Sequence, residues 1–405
     1  MTVATMHAGA VMRPYSRLVL GFLGLTLATS SIVFIEPAPY DVLVIGMLVG
    51  MLITGLRFPR EMKTAAILLG LFAVGNMIAA AVSADPLTTL RSLSVRVYMT
   101  LAWCLFVGLI VANPERILRT IWLGYLAAAI LAVTWAMLEY FGFINFGDWQ
   151  AGLRAKGPFK DPNVFAPFLI PAAVYALNRV LNGHGLGEKI LNSAVFGFLA
   201  FGVLLSFSRG AWLNFVIACG LFSLLTAASL PTHRDRLRWL LVNAIMILAV
   251  VALLGFATST KSIADRFMQR AVLTQKYDVA QGGRFFTQKQ AIQKIATTPL
   301  GVGPGRSDEE FGLEPHNLYL HVFVEGGWLA GAGFLLFVAL SLYRSLALFR
   351  WDSTLLGDFH VVFACTIGML TQSLFIDSTH WRHSWLLFAM LWGLIIARQR
   401  AKSVA

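Results

Sequence analysis

The chain has 405 residues, of which 58% are hydrophobic and 13% charged. Soluble domains run at roughly 45–50% apolar and about 25% charged, so the composition excludes an ordinary soluble globule. The net charge of +12 does not indicate nucleic acid as a partner, because Lys and Arg fall in short segments between apolar runs instead of clustering on a soluble domain.

In chain order, apolar stretches near the length of a bilayer crossing predict twelve transmembrane helices, at about 17–35, 42–56, 64–83, 97–112, 118–141, 163–181, 190–207, 210–230, 238–257, 320–343, 357–376 and 383–398. The first reads as a retained signal anchor, since no convincing small-residue cleavage site follows it. The sixth is interrupted by Pro167 and Pro171, which neighbouring helices in a bundle can tolerate. Cys104, Cys219 and Cys365 all lie in apolar runs, where thiols behave as small hydrophobes. The chain divides into helices one to nine (1–257), a long loop (258–319), and helices ten to twelve with a tail (320–405).

Loop charge orients these helices. With Arg13 and Arg17 in the cytoplasm, the loops on that side hold Arg57, Arg60 and Lys63; Arg116 and Arg119; Arg179 and Lys189; Arg234, Arg236 and Arg238; Arg344 and Arg350. Arg398, Arg400 and Lys402 follow in the tail, whereas 35–41 on the other side has no Lys or Arg. This is the positive-inside pattern, and it predicts cytoplasmic termini. The long loop then emerges outside with eight basic residues, because long loops cross largely regardless of charge. Its helical patterning at Ser262–Thr274 and Arg284–Ala296 predicts short helices.

Polar residues able to do chemistry gather on the outer side. Arg154 and Lys156 precede the sixth helix, and Arg209 sits in the tight Ser206-Phe207-Ser208-Arg209-Gly210 turn. Arg284 follows Gly282-Gly283, Arg306 ends the Gly301-to-Gly305 cluster, and Arg382 follows Asp377 in the last outer turn. Arg209 reads either as an interfacial arginine or as a fixed cation facing an anionic ligand; charge at membrane depth costs ~2.5–3.5 kcal/mol at the centre. Arg154, Lys156 and Arg284 read either as solvated or headgroup-contacting charges or as members of one anion site. Guanidinium forks match phosphate oxygens in bidentate fashion. His316, in Pro315-His316-Asn317-Leu318-Tyr319, reads as a structural histidine or as a base near neutral pH. His321 and Glu325 are four apart on one helical face. No zinc spacing, Asp-x-Asp, Walker loop, nucleophile elbow or Rossmann fingerprint is present, so neither a metal nor a cofactor is expected.

Three segments resemble the O-antigen ligase and polymerase superfamily of bacterial envelope glycosyltransferases. They are Arg154-Ala-Lys156-Gly-Pro-Phe-Lys-Asp161-Pro-Asn163, then Ser208-Arg209-Gly210-Ala211, then Gly301-Val-Gly-Pro-Gly305 followed by Pro315-His316-Asn317-x-Tyr319 and Glu325-Gly326-Gly327. The resemblance covers roughly 150–390. It implies an all-α, GT-C-like membrane fold in the bacterial inner membrane, with the site facing the periplasm. It further implies transfer of a glycan from undecaprenyl diphosphate to an acceptor hydroxyl, without a metal and with inversion. The acceptor is lipid A–core oligosaccharide for a ligase, the reading preferred here, or a second lipid-linked glycan for an O-antigen or exopolysaccharide polymerase. On that basis His316 is the base and Arg209 and Arg284 are catalytic cations. Arg154 and Lys156 help them hold the diphosphate, and Asn317, Tyr319, His321, Glu325, Arg306, Asp377 and Arg382 are supporting candidates. A transporter or a scaffold is the alternative from another class, but no internal repeat favours a transporter.

Overall fold

The computed structural model describes residues 15–55, 58–144, 154–183, 185–270, 272 and 283–404. Arg13, Arg57, Leu153, Gly282 and the greater part of 271–282 lie outside the described residues. Within them the chain is all-helical, without a strand. The order begins α1 (Tyr15–Ala28), α2 (Pro39–Thr54), α3 (Lys63–Ala81), α4 (Pro86–Ala112) and α5 (Pro114–Tyr140). It continues with α6 (Pro162–Asn182), α7 (Leu186–Leu205), α8 (Arg209–Ser229) and α9 (His233–Thr258). The long connection contributes α10 (Lys261–Arg270), α11 (Arg284–Thr297) and α12 (Ser307–Phe311), before α13 (Leu318–Ser345), α14 (Leu356–Gln372) and α15 (Arg382–Val404).

Each of the twelve predicted apolar stretches overlies one of these helices. By length and apolar content, eight helices among the described residues qualify to cross a membrane. Their outer faces are apolar: Leu224, Ile245 and Phe256 are each more than three-fifths exposed. In water such faces would be a liability; against lipid they are the expected surface. The chain is a multi-pass membrane protein.

Several helices begin earlier than hydropathy alone predicts, and the cause is local. Asp85, Asn113 and Asp161 each precede a proline and accept a backbone N–H from the first turn of α4, α5 or α6. Proline at the first helical position gives up no hydrogen bond, and the side-chain cap adds about 1 kcal/mol. As a result α4 starts at Pro86, not near 97, and its polar first turns lie inside the helix.

α13 departs from a single straight span. Gly327 has φ 72° and breaks the helix, and the freed Trp328 N–H donates to the Pro299 carbonyl at 2.8 Å. The break lets the glycine-rich segment dock. Gly303 has φ +106°, and a Cβ there would lie 2.6 Å from Ser83 Oγ.

Successive helices alternate in direction, so the ends of α1, α3, α5, α7 and α14 share one end of the bundle with the starts of α2, α4, α6, α8, α13 and α15. Two backbone contacts fix this end: Val33 N–H to Pro158 O at 3.4 Å, and Leu318 N–H to Ser373 O at 2.9 Å. The short helices α10, α11 and α12 cover the same end. At the other end Arg400 of α15 pairs with Glu61 at 2.9 Å.

Candidate functional site

A cleft of about 510 Å³, measured to its open mouth, lies at the end covered by the short helices. Four arginines line it: Arg154, Arg209, Arg270 and Arg284. Asn163, Ser208, Gly210, Gln372, Phe375 and Ile376 complete most of the wall, and no Asp or Glu is among the lining residues described. Arg209 and Gly210 open α8, Asn163 lies in the first turn of α6, and Arg284 opens α11. Three helix N-termini therefore meet at one place, each adding partial positive charge to that of the guanidinium groups. Neither Ser208 nor Gly283, which precede α8 and α11, caps its helix with a side chain. The arrangement suits an anion with several oxygens.

The local structure explains how the arginines are held. Arg154 donates through Nε to the Ser206 carbonyl at 2.8 Å and through Nη2 to Asn163 Oδ1 at 2.9 Å, which ties the pre-α6 segment to the α7–α8 turn. In that turn Phe207 has φ 50° and is buried. A bulky residue at positive φ costs about 1–3 kcal/mol, and such strain concentrates at working sites. Arg209 Nη1 donates to the Val272 carbonyl at 3.0 Å. Gln372 is fixed from behind by Asn214 Nδ2 at 2.8 Å.

Among the described residues, His316 is the other non-glycine residue at positive φ, 46°. Burial pushes its imidazole below the ordinary 6.5, and the Arg284 charge pushes the same way. Asp308, Asp161 and Asp377 oppose this in part. His316 thus stands within electrostatic reach of the cleft and is biased toward the neutral, proton-accepting form. Two residues before it, burial raises the Glu314 carboxyl.

Asn317 and Tyr319 have structural duties. Asn317 caps α13 through bonds from the Tyr319 and Leu320 N–H groups at 3.0 and 3.1 Å, and its Nδ2 donates to Leu374 O at 3.1 Å. Tyr319 Oη donates to Leu370 O at 2.8 Å. Both strap α13 to α14 beside His316.

Beneath this lies a buried charge network. Glu325 pairs with Arg96 and, at 3.2 Å, with His321, and all three side chains are at most 2% exposed. Arg96 also donates to Asn76. The glycine-rich segment serves the same carboxylate: Gly305 N–H donates to Glu325 Oε2 at 2.7 Å, and Ser307 N–H and Oγ reach Oε1 at 3.1 and 2.5 Å. His321 lies 3.6 Å from Asp377, which lies 3.4 Å from His380. Burial alone would raise the Asp377 carboxyl, but the imidazoles of His321 and His380 and the Thr379 hydroxyl hold it well below the usual carboxylate range.

The structure thus brings together Arg154, Arg209 and Arg284 in one cleft, with His316 near Arg284. Lys156 is not among the lining residues; it lies within electrostatic reach of Glu139. Arg306 pairs with Asp85 at 3.5 Å and with Glu309 at 2.6 Å. Arg382 forms a bidentate pair with Asp41 at 2.7 and 2.5 Å. Three residues escaped the sequence reading. Arg270 and Gln372 join the cleft, although Gln372 sits in an apolar run that hides it. Arg96 precedes the predicted stretch at 97–112, and the Asp85-Pro86 start signal is what brings it into the helix. Among the described residues, no group of three His, Cys, Asp or Glu is placed to hold a metal ion.

A comparison with curated proteins finds no match. A comparison with family models finds one over residues 194–335, for the family described as O-Antigen ligase. The matched segment contains Ser208-Arg209-Gly210, the short helices α10, α11 and α12, the glycine-rich segment and the Pro315–Gly327 stretch. Over that segment, about a third of the chain, the protein is similar to the O-antigen ligase family.

Proposed function

We propose that this chain is a membrane glycosyltransferase that moves a glycan from undecaprenyl diphosphate to an acceptor hydroxyl at the periplasmic face of the bacterial inner membrane. The observation that carries the reading is the four-arginine cleft, with the half-buried His316 imidazole within electrostatic reach of Arg284 and its proton affinity lowered.

In the reaction, the acceptor oxygen attacks the anomeric carbon as the carbon–oxygen bond to the diphosphate breaks. The electron pair of that bond leaves on undecaprenyl diphosphate, and the acceptor proton passes to a ring nitrogen of His316. Charge grows on the phosphate oxygens, and Arg209 and Arg284 stabilise it, with Arg154 and Arg270 holding the diphosphate. Donors already in place do this without reorganisation and are worth about 10²–10³-fold each in rate. With no nucleophilic side chain assigned for a covalent intermediate, the displacement is single and inverts the anomeric centre. The energy comes from the activated donor, and transfer proceeds without an added metal.

The preferred acceptor is lipid A–core oligosaccharide, making the protein an O-antigen ligase. A polymerase would use the same donor chemistry with a second lipid-linked glycan. Deletion of the gene distinguishes them: a ligase deletion accumulates unattached polymer, and a polymerase deletion leaves single repeat units. Deletion with neither change would reject both.

A further inference from the structure

A second cavity opens at the same end of the bundle, about 420 Å³ to its mouth, among α1, α2, α5, α6 and the start of α15. Its walls are aromatic, with Tyr40, Phe159, Phe168 and Trp381 beside Arg382 and His383. The His383 ring stacks on Trp381 with centroids 5.2 Å apart and meets Phe168 edge-on at 5.9 Å. His383 is only 5% exposed, and its Nε2 has no hydrogen-bond partner among the described residues. A buried nitrogen left this way is costly, by about 1–3 kcal/mol, and calls for a partner.

The chemistry of the walls selects the occupant. The Arg382 charge is neutralised by the bidentate Asp41 pair, so the pocket offers no surplus cation to a second phosphate. An acyl chain would leave His383 Nε2 unanswered. A neutral sugar ring has C–H faces for the aromatic walls and hydroxyl edges for the imidazole.

The two cavities are lined by adjoining segments of the same elements. Asn163 lines the arginine cleft and Val164, the next residue, lines the aromatic pocket. In the α14–α15 turn, Phe375 and Ile376 face the cleft, and His380 to His383 face the pocket. Asp161 and Asp377, which belong to these two segments, are among the charges that act on His316. We propose that the aromatic pocket is the acceptor subsite, holding a neutral sugar ring of the acceptor glycan on Trp381 and Phe168 with a hydroxyl on His383 Nε2. This rests on the glycan-transfer reading of the cleft.

Two measurements on the full chain in nanodiscs test it. The first is saturation-transfer NMR with a panel of neutral oligosaccharides of glucose, galactose and N-acetylglucosamine. Wild-type protein is expected to transfer magnetisation to ring C–H protons of at least one member. His383→Leu, which keeps the bulk and removes the nitrogen, is expected to cut the effect at least fivefold, and Arg209→Ala to leave it intact. No transfer to any sugar, or equal transfer in His383→Leu, overturns the subsite. The second measurement is steady-state transfer, in which His383→Leu and Trp381→Phe raise the acceptor KM at least tenfold and move the donor KM less than twofold. An equal rise in both overturns the assignment. Sugar binding without any wild-type transfer would instead reject the transferase reading, and the NMR arm decides the pocket independently.

Discussion

Arg96 and Glu325, 229 positions apart in the chain, form an ion pair in which each side chain is 1% exposed. The pair joins α4 to the upper half of α13, and Glu325 in turn collects Gly305, Ser307 and His321. The glycine-rich motif is therefore a clamp for one buried carboxylate, and through His321 and Asp377 it orients the wall that carries the site. Removing one partner of such a pair strands a buried charge, at about 3–5 kcal/mol. Arg96→Met and Glu325→Leu should each lower the unfolding midpoint in detergent sharply, and the double variant should recover part of the loss. Additive losses would contradict the clamp.

The same clamp predicts a steric result. Gly303 has φ +106°, and an added Cβ would lie 2.6 Å from Ser83 Oγ. Gly303→Ala should destabilise the protein by at least ~1 kcal/mol, from backbone strain together with displacement of the α3–α4 turn. Ser83→Gly in that background should restore only the steric part, as read by thermal unfolding.

For the cleft, Arg209→Ala and Arg284→Ala should each reduce kcat by about 10²–10³-fold with the fold retained. Arg382→Ala should act differently. It leaves Asp41 without the guanidinium that holds it in the pair, so the main loss is expected in stability. Activity assays paired with melting curves separate the two behaviours. A large kcat loss in Arg382→Ala at unchanged stability would move that residue into the catalytic machinery.

The pH dependence follows from His316. As a base it must be neutral, and burial and Arg284 hold it below 6.5. The acid limb of the rate profile should therefore lie below pH 6.5, with activity lost as pH falls through the depressed value and kept above it. Arg284→Gln removes one of the lowering influences, so the His316 imidazole followed by NMR should titrate at higher pH. His316→Ala with near-normal turnover would refute the base assignment.

Much of this was legible in the sequence because apolar length and loop charge are strong local signals. The all-helical, multi-pass character follows from such signals, whereas the three motif segments are read from the resemblance. Arg209 and Arg284 could be nominated because each adjoins Gly or Ser, and Arg154 because it opens one of the segments that carry the resemblance. Their convergence was not legible, since it depends on α6, α8 and α11 starting at one point. Arg96 and Gln372 were hidden for the opposite reason, because polar residues inside an apolar helix acquire partners only through packing. Arg306 and Arg382 look like Arg209 in the sequence; the carboxylates that Arg306 and Arg382 meet, Asp85 and Asp41, come from distant segments.

The most direct measurement is the affinity of purified protein in nanodiscs for a short-chain polyprenyl diphosphate against the matching monophosphate, with excess EDTA present. The account predicts that the diphosphate binds at least tenfold more tightly, and that Arg209→Ala and Arg284→Ala each remove most of that preference. Equal affinity for the two lipids, or a preference untouched by either substitution, would contradict the claim that these arginines hold a diphosphate.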